Sequence, residues 1–164
     1  MSSTFPQSAY HPVPPDPHWK GILECSAVEV FSIMLGVELQ AFPGSFEDRH
    51  GEQTAIVGLA GALCGMVAIR CSSPTAEKIA ALMLAADAAS NPSMIGDALG
   101  ELCNMVAGNF KSKVSTIADH CMLSMPTVIW GEHYVMQTFQ SHEAFEVVLS
   151  FEGEPVWFSI VIQT

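Results

Sequence analysis

The chain has 164 residues, of which 49% are apolar and 14% charged, the composition of a folded globule with its own core rather than of a disordered segment. Six basic against seventeen acidic residues give a formal charge of −11, which excludes nucleic acid and anionic membrane surfaces as partners, since both need a basic patch. The five cysteines (Cys25, Cys64, Cys71, Cys103, Cys121) are odd in number and form no C-x-x-C, so free thiols, a reducing cytoplasmic location and no metal site are expected.

Residues 1–18 contain Pro6, Pro12, Pro14, Pro15 and Pro17 and cannot form a helix or a central strand. They read as an extended arm, with a single domain over 19–164. The N-terminus carries no basic stretch followed by an apolar run, so no signal peptide is expected. A helix is predicted over about 23–35, with Ala27, Phe31 and Met34 on its inner side and Cys25, Glu29, Ser32 and Gly36 on the outer. Strands follow at 37–41, 54–60 and 64–71. The seventeen uncharged residues between Glu52 and Arg70 approach the length of a membrane span, but Gly58, Gly61 and Gly65 interrupt them. A buried hairpin turning at Gly61-Ala62 is the better reading. Pro74 opens a second helix to about Ala89, capped by Ser73, with Ile79, Leu82, Met83 and Ala86 as its apolar face. Asn91-Pro92 opens a third helix to about Val114. Strands at 127–131, 134–140, 144–151 and 156–163 complete the chain, with the turn signal of the last hairpin in Phe151-Glu152-Gly153-Glu154-Pro155. Trp130, Trp157, Phe158 and Met105 are read as core.

This order of elements indicates an α+β domain with a largely antiparallel sheet and long helices packed on it. A faint repeat runs through it. Glu29-x2-Ser32-x3-Gly36 matches Glu101-x2-Asn104-x3-Gly108 at an offset of 72, and a hairpin follows each helix. Two pseudo-symmetric α-β-β halves are therefore expected.

The third helix is the most informative element. At about 100° per residue, Glu101, Asn104, Gly108 and Lys111 fall within about 40° of Asp97, whereas Ile95, Leu99, Leu102, Val106 and Phe110 lie at about 140–220°. A narrow polar stripe thus opposes a narrow apolar one. Periodicity alone describes a solvated face. Against that, Gly100 and Gly108 lie in or beside the stripe, where glycine costs about 1 kcal/mol relative to alanine. Such glycines would let another chain segment approach closely.

The pattern Asp97-x3-Glu101-x2-Asn104-x3-Gly108 resembles the active-site motif of the CheX and CheC/FliY phosphatases of bacterial chemotaxis. The order of elements over 20–164 is similar to CheX, with its CheC-like fold. The resemblance implies hydrolysis of the aspartyl phosphate on a CheY-like response regulator. It implies a catalytic role for Glu101 and Asn104, with Glu101 pairing with a lysine of the regulator. A carboxamide both donates to and accepts from one water, so Asn104 is assigned to orienting the attacking water. Asp97, Gly108 and Lys111 would contact the partner. No cofactor of its own is expected, since the Mg²⁺ belongs to the regulator, and the family implies a homodimer formed through the sheets. In the first helix Ser32 replaces the motif's Asn and Cys25 its Asp, which resembles the single-site CheX pattern. The Pro-rich arm lies outside the resemblance.

A non-catalytic receiver-binding module and a purely structural oligomerisation domain are the competing readings. A serine hydrolase and a nucleotide-binding domain fit poorly, because no G-x-S-x-G and no phosphate-binding glycine loop is present.

Overall fold

The computed structural model describes residues 13–44, 52–84, 91–132, 134 and 142–164. Helix α1 spans Trp19–Leu35, α2 Ser73–Met83 and α3 Pro92–Lys113. The strands are β1 Gln40–Ala41, β2 Gln53–Gly61, β3 Gly65–Cys71, β4 Cys121–Leu123, β5 Thr127–Trp130, β6 His142–Phe151 and β7 Glu154–Gln163. They form one seven-stranded antiparallel sheet in the order β1-β6-β7-β3-β2-β4, with β5 also paired to β2.

Local chemistry sets the element ends. Asn91 caps α3 by accepting from the Ser93 N–H at 3.0 Å, and Pro92 follows in the first turn, where its missing N–H costs nothing. The cap of α2 is Ser72, one residue before the expected Ser73, and its hydroxyl accepts from the Thr75 N–H at 3.3 Å. Gly36 ends α1 in the left-handed conformation, φ 66°, with its N–H on the Ser32 carbonyl. The β6–β7 turn has positive φ at both Glu152 and Gly153, the form that matches strand twist in a two-residue hairpin.

The uncharged run after Glu52 folds as the β2–β3 hairpin, with Ala55 opposite Ile69 and Val57 opposite Val67. Alternation along β2 sends Ala55, Val57 and Leu59 toward the helices. The Cys103 thiol of α3 reaches the Ala55 and Val67 carbonyls at 3.5 and 3.6 Å, which seats α3 over the β2–β3 pair. Phe31 of α1 meets Phe151 and Phe158 edge-on, and Trp19 meets Phe110 of α3, so α1 and α3 lie side by side on one face of the sheet. Short strands follow both helices: β1 after α1 pairs with β6, and β4 and β5 after α3 pair with β2. Among the described residues no helix is long and apolar enough to cross a membrane.

Several expectations need correction. Helix α1 begins four residues earlier than its pattern suggested, and Met34 is 37% exposed rather than inward-facing. Helix α2 stops at Met83 and leaves Leu82 46% exposed; Ala86 and Ala89 lie outside the described residues. Strand β4 was not expected, because Cys121–Leu123 is too short to show a period. The strand expected at 134–140 lies outside the described residues except for Tyr134, whose hydroxyl bonds the Thr54 hydroxyl. Trp130 is 52% exposed and so is not core, whereas Trp157 and Phe158 are buried and Met105 is half-buried against the core. The arm expected over 1–18 joins the fold at Val13, whose N–H donates to the Ala62 carbonyl at 3.2 Å.

Candidate functional site

Helix α3 carries both the anchor and the candidate site. Ile95, Leu99, Leu102, Val106 and Phe110 are all buried, and four of them have no exposure at all. Their contact with the sheet fixes the rotation of the helix, so the opposite face must point outward. On that face Asp97 and Glu101 are exposed, and Asn104, Gly108 and Lys111 are half-buried. All five residues singled out from the sequence therefore share one accessible surface. Three residues of separation place Glu101 and Asn104 about 4.5 Å apart along the axis and about 60° apart around it. Among the described residues neither side chain is engaged in a hydrogen bond or ion pair, and both functional groups are available to an incoming molecule.

The glycines of α3 serve two different purposes. A Cβ on Gly100 would stand 3.3 Å from the Pro126 Cβ, so the space there is filled by the protein's own β4–β5 segment rather than kept for a partner. Gly96 does the same for the Trp130 ring, at 2.6 Å. At Gly108 the nearest atom is Leu123 Cδ1 at 3.9 Å, and the backbone lies open.

The face of α1 that carries Glu29 is occupied. The Glu29 carboxylate accepts from Asn109 Nδ2 at 2.9 Å, from Lys113 Nζ at 3.0 Å and from the Cys25 thiol at 3.4 Å. The Asn109 bond, then the Lys113 and Cys25 bonds, hold its pKa down at about 2. Glu29 thus ties α1 to α3, while Glu101 has no such tie. Two changes in the chain, Ser32 for Asn and Cys25 for Asp, go with this difference.

Among the described residues no three His, Cys, Asp or Glu side chains gather as a metal site. The sequence marked β5 as a strand but gave the β4–β5 segment no part in the site. The sign it carried was a ten-residue run, 121–130, without a charge.

Comparison with known proteins agrees with this architecture. A family model described as chemotaxis phosphatase CheX matches residues 53–150. Among solved structures, a chemotaxis protein CheX from Vibrio vulnificus superposes with a TM-score of 0.75 at 18% identity, covering 92% of this chain and 100% of that one. CheX from Desulfovibrio desulfuricans gives 0.75 at 18% identity, covering 89% and 99%. A CheX-CheY-BeF3-Mg complex from Borrelia burgdorferi gives 0.71 at 23% identity, covering 89% and 98%. No curated protein matches the chain.

Proposed function

Because the chain belongs to the CheX family of chemotaxis phosphatases, we propose that it hydrolyses the aspartyl phosphate of a CheY-like response regulator. Asn104 orients the attacking water and Glu101 anchors α3 to the regulator. An acyl phosphate is already activated, so the catalyst mainly has to position the nucleophile in line. The Asn104 carboxamide holds one water by accepting from it and donating to it. The water oxygen bonds phosphorus as the bond to the regulator's aspartyl oxygen breaks, which releases inorganic phosphate and a free carboxylate. The regulator's own Mg²⁺ offsets the charge on the phosphoryl oxygens. No covalent intermediate forms on this chain.

Glu101 pairs with a lysine of the regulator and thereby sets the depth and angle at which Asn104 enters. Asp97, Gly108 and Lys111 flank the contact. The observation that carries this reading is the pairing of an unengaged carboxylate with an unengaged amide on the outward face of a helix whose other face is fully buried. The solved CheX-CheY complex of a structural relative supports a CheY-like partner. Mixing the protein with a phosphorylated CheY-like receiver should shorten the phosphate's lifetime. Complex formation with no change in lifetime would instead indicate a non-catalytic receiver-binding module.

A homodimer belongs to the same proposal. Strand β7 is interior. Strand β6 lies beside it and pairs with β1 at Ser150 and Leu149. The two last strands are long and rich in Val, Ile and Phe, a composition that favours pairing of sheets with a second copy. We place the protein in the cytoplasm, where its receiver would be.

A further inference from the structure

The segment Cys121–Trp130 has no charged residue, in a chain of formal charge −11, and it lies along the candidate face of α3. Three contacts fix its course. Leu123 lies by Gly108, Pro126 and Val128 lie by Gly100, and Trp130 lies by Gly96. The segment therefore runs antiparallel to the helix. Gly96, Gly100, Asn104 and Gly108 are four residues apart and form one ridge of α3. The part of the segment level with Asn104 lies between Leu123 and Pro126, at Ser124–Met125.

That corner is held in place. The Ser124 hydroxyl accepts from the Gly58 N–H and donates to the Met125 carbonyl, both at 2.8 Å. Side chains of the segment are nevertheless exposed: Met125 is 85% accessible and Trp130, beside Gly96 of α3, 52%. Met122, paired with Ala60 while its neighbour Leu123 pairs with Leu59, points to the other face of the sheet. Two large apolar side chains exposed beside a polar helix face mark an interaction surface. Methionine suits such a surface, being flexible and polarizable.

We infer that the Leu123–Trp130 segment is the apolar half of the surface on which the phosphorylated receiver docks, with Met125 covering the acyl phosphate beside Asn104. This rests on the phosphatase reading given above. The segment is continuous with the Glu101–Asn104 face that a receiver must reach. It also borders the phosphoryl site without adding a carboxylate to it. A second copy of the chain fits less well. Strands β4 and β5 are three and four residues long, and Pro126 between them has no N–H to offer an added strand.

The test uses the full chain labelled at its methionine methyls and a CheY-like receiver activated with beryllofluoride and Mg²⁺, alongside turnover of the phosphorylated receiver. The Met125 signal and Trp130 fluorescence should shift on binding, while the Met122 signal, from the other face of the sheet, should hold. Met125→Ser should raise KM by about tenfold at an unchanged melting temperature. Unmoved signals and a KM within about twofold of wild type, with normal turnover, would overturn this inference and leave the phosphatase reading standing. Signals that move on concentrating the protein alone would assign the segment to a second copy and also overturn it. Receiver-induced shifts without turnover would keep the docking surface and remove the phosphatase reading. A protein that neither binds nor dephosphorylates the receiver would remove both.

Discussion

Lys113, in the last turn of α3, holds both oxygens of Glu29, in the middle of α1, at 3.0 and 2.9 Å. Together with the Asn109 amide this contact ties the two long helices into one unit. The two helices thus use their carboxylates differently: α1 spends Glu29 inside the fold and α3 presents Glu101.

The Glu29 tie should appear in the pH dependence of stability. Its carboxyl is lowered on folding from 4.5 to about 2. A group depressed in this way stabilises the fold above its unfolded pKa, and that contribution is lost as pH falls toward the folded value. Glu29→Gln should therefore lower the melting temperature at pH 7, and the gap from wild type should close between about pH 4.5 and 2. A gap that is constant across this range would show that the charge contributes nothing.

Gly108 separates stability from binding. Alanine fits there against Leu123 Cδ1 at 3.9 Å. Gly108→Ala should raise stability by about 1 kcal/mol through helix propensity. If a receiver approaches the backbone at this point, KM should rise while kcat holds. An unchanged KM would place Gly108 outside the contact.

Thiol reactivity tests the packing of α3 on the sheet. Burial pushes the Cys71 and Cys103 thiols up to about 12. Alkylation of the native protein at pH 8 should label exposed Cys25 first and leave Cys71 and Cys103 unlabelled until denaturant is added. Fast labelling of Cys103 would mean that α3 does not sit over β2 and β3 as described.

Glu101→Ala should act on binding. Removing one member of a desolvated charge pair costs about 2 kcal/mol or more, so KM should rise by at least about 30-fold, and high receiver concentration should restore most of the rate. A rate that saturates far below wild type would move Glu101 into the chemical step.

Much of this was legible in the residues. Helix α3 is long, its period is sharp and its cap is strong, so its span and both of its faces could be read directly. The β6–β7 hairpin carried its turn chemistry in Glu152-Gly153. What escaped was set by tertiary contact. Nothing local distinguishes Gly100, which makes room for Pro126, from Gly108, which lies open. Trp130 reads as core by type, yet it rests on the surface because Gly96 gives its ring a shelf. The engagement of Glu29 depends on Asn109 and Lys113, 80 and 84 residues away. Strand β4, with three residues, is too short for any period to register.

The most direct measurement is the phosphate lifetime of a CheY-like receiver with Asn104→Ala in place of the wild-type protein. The substituted side chain is half-buried and bonds no described residue, so the fold should persist. Asn104→Ala should lose at least about a hundredfold in kcat, with binding to the beryllofluoride-activated receiver kept within about twofold. A variant that clears phosphate as fast as wild type would contradict the role proposed for Asn104.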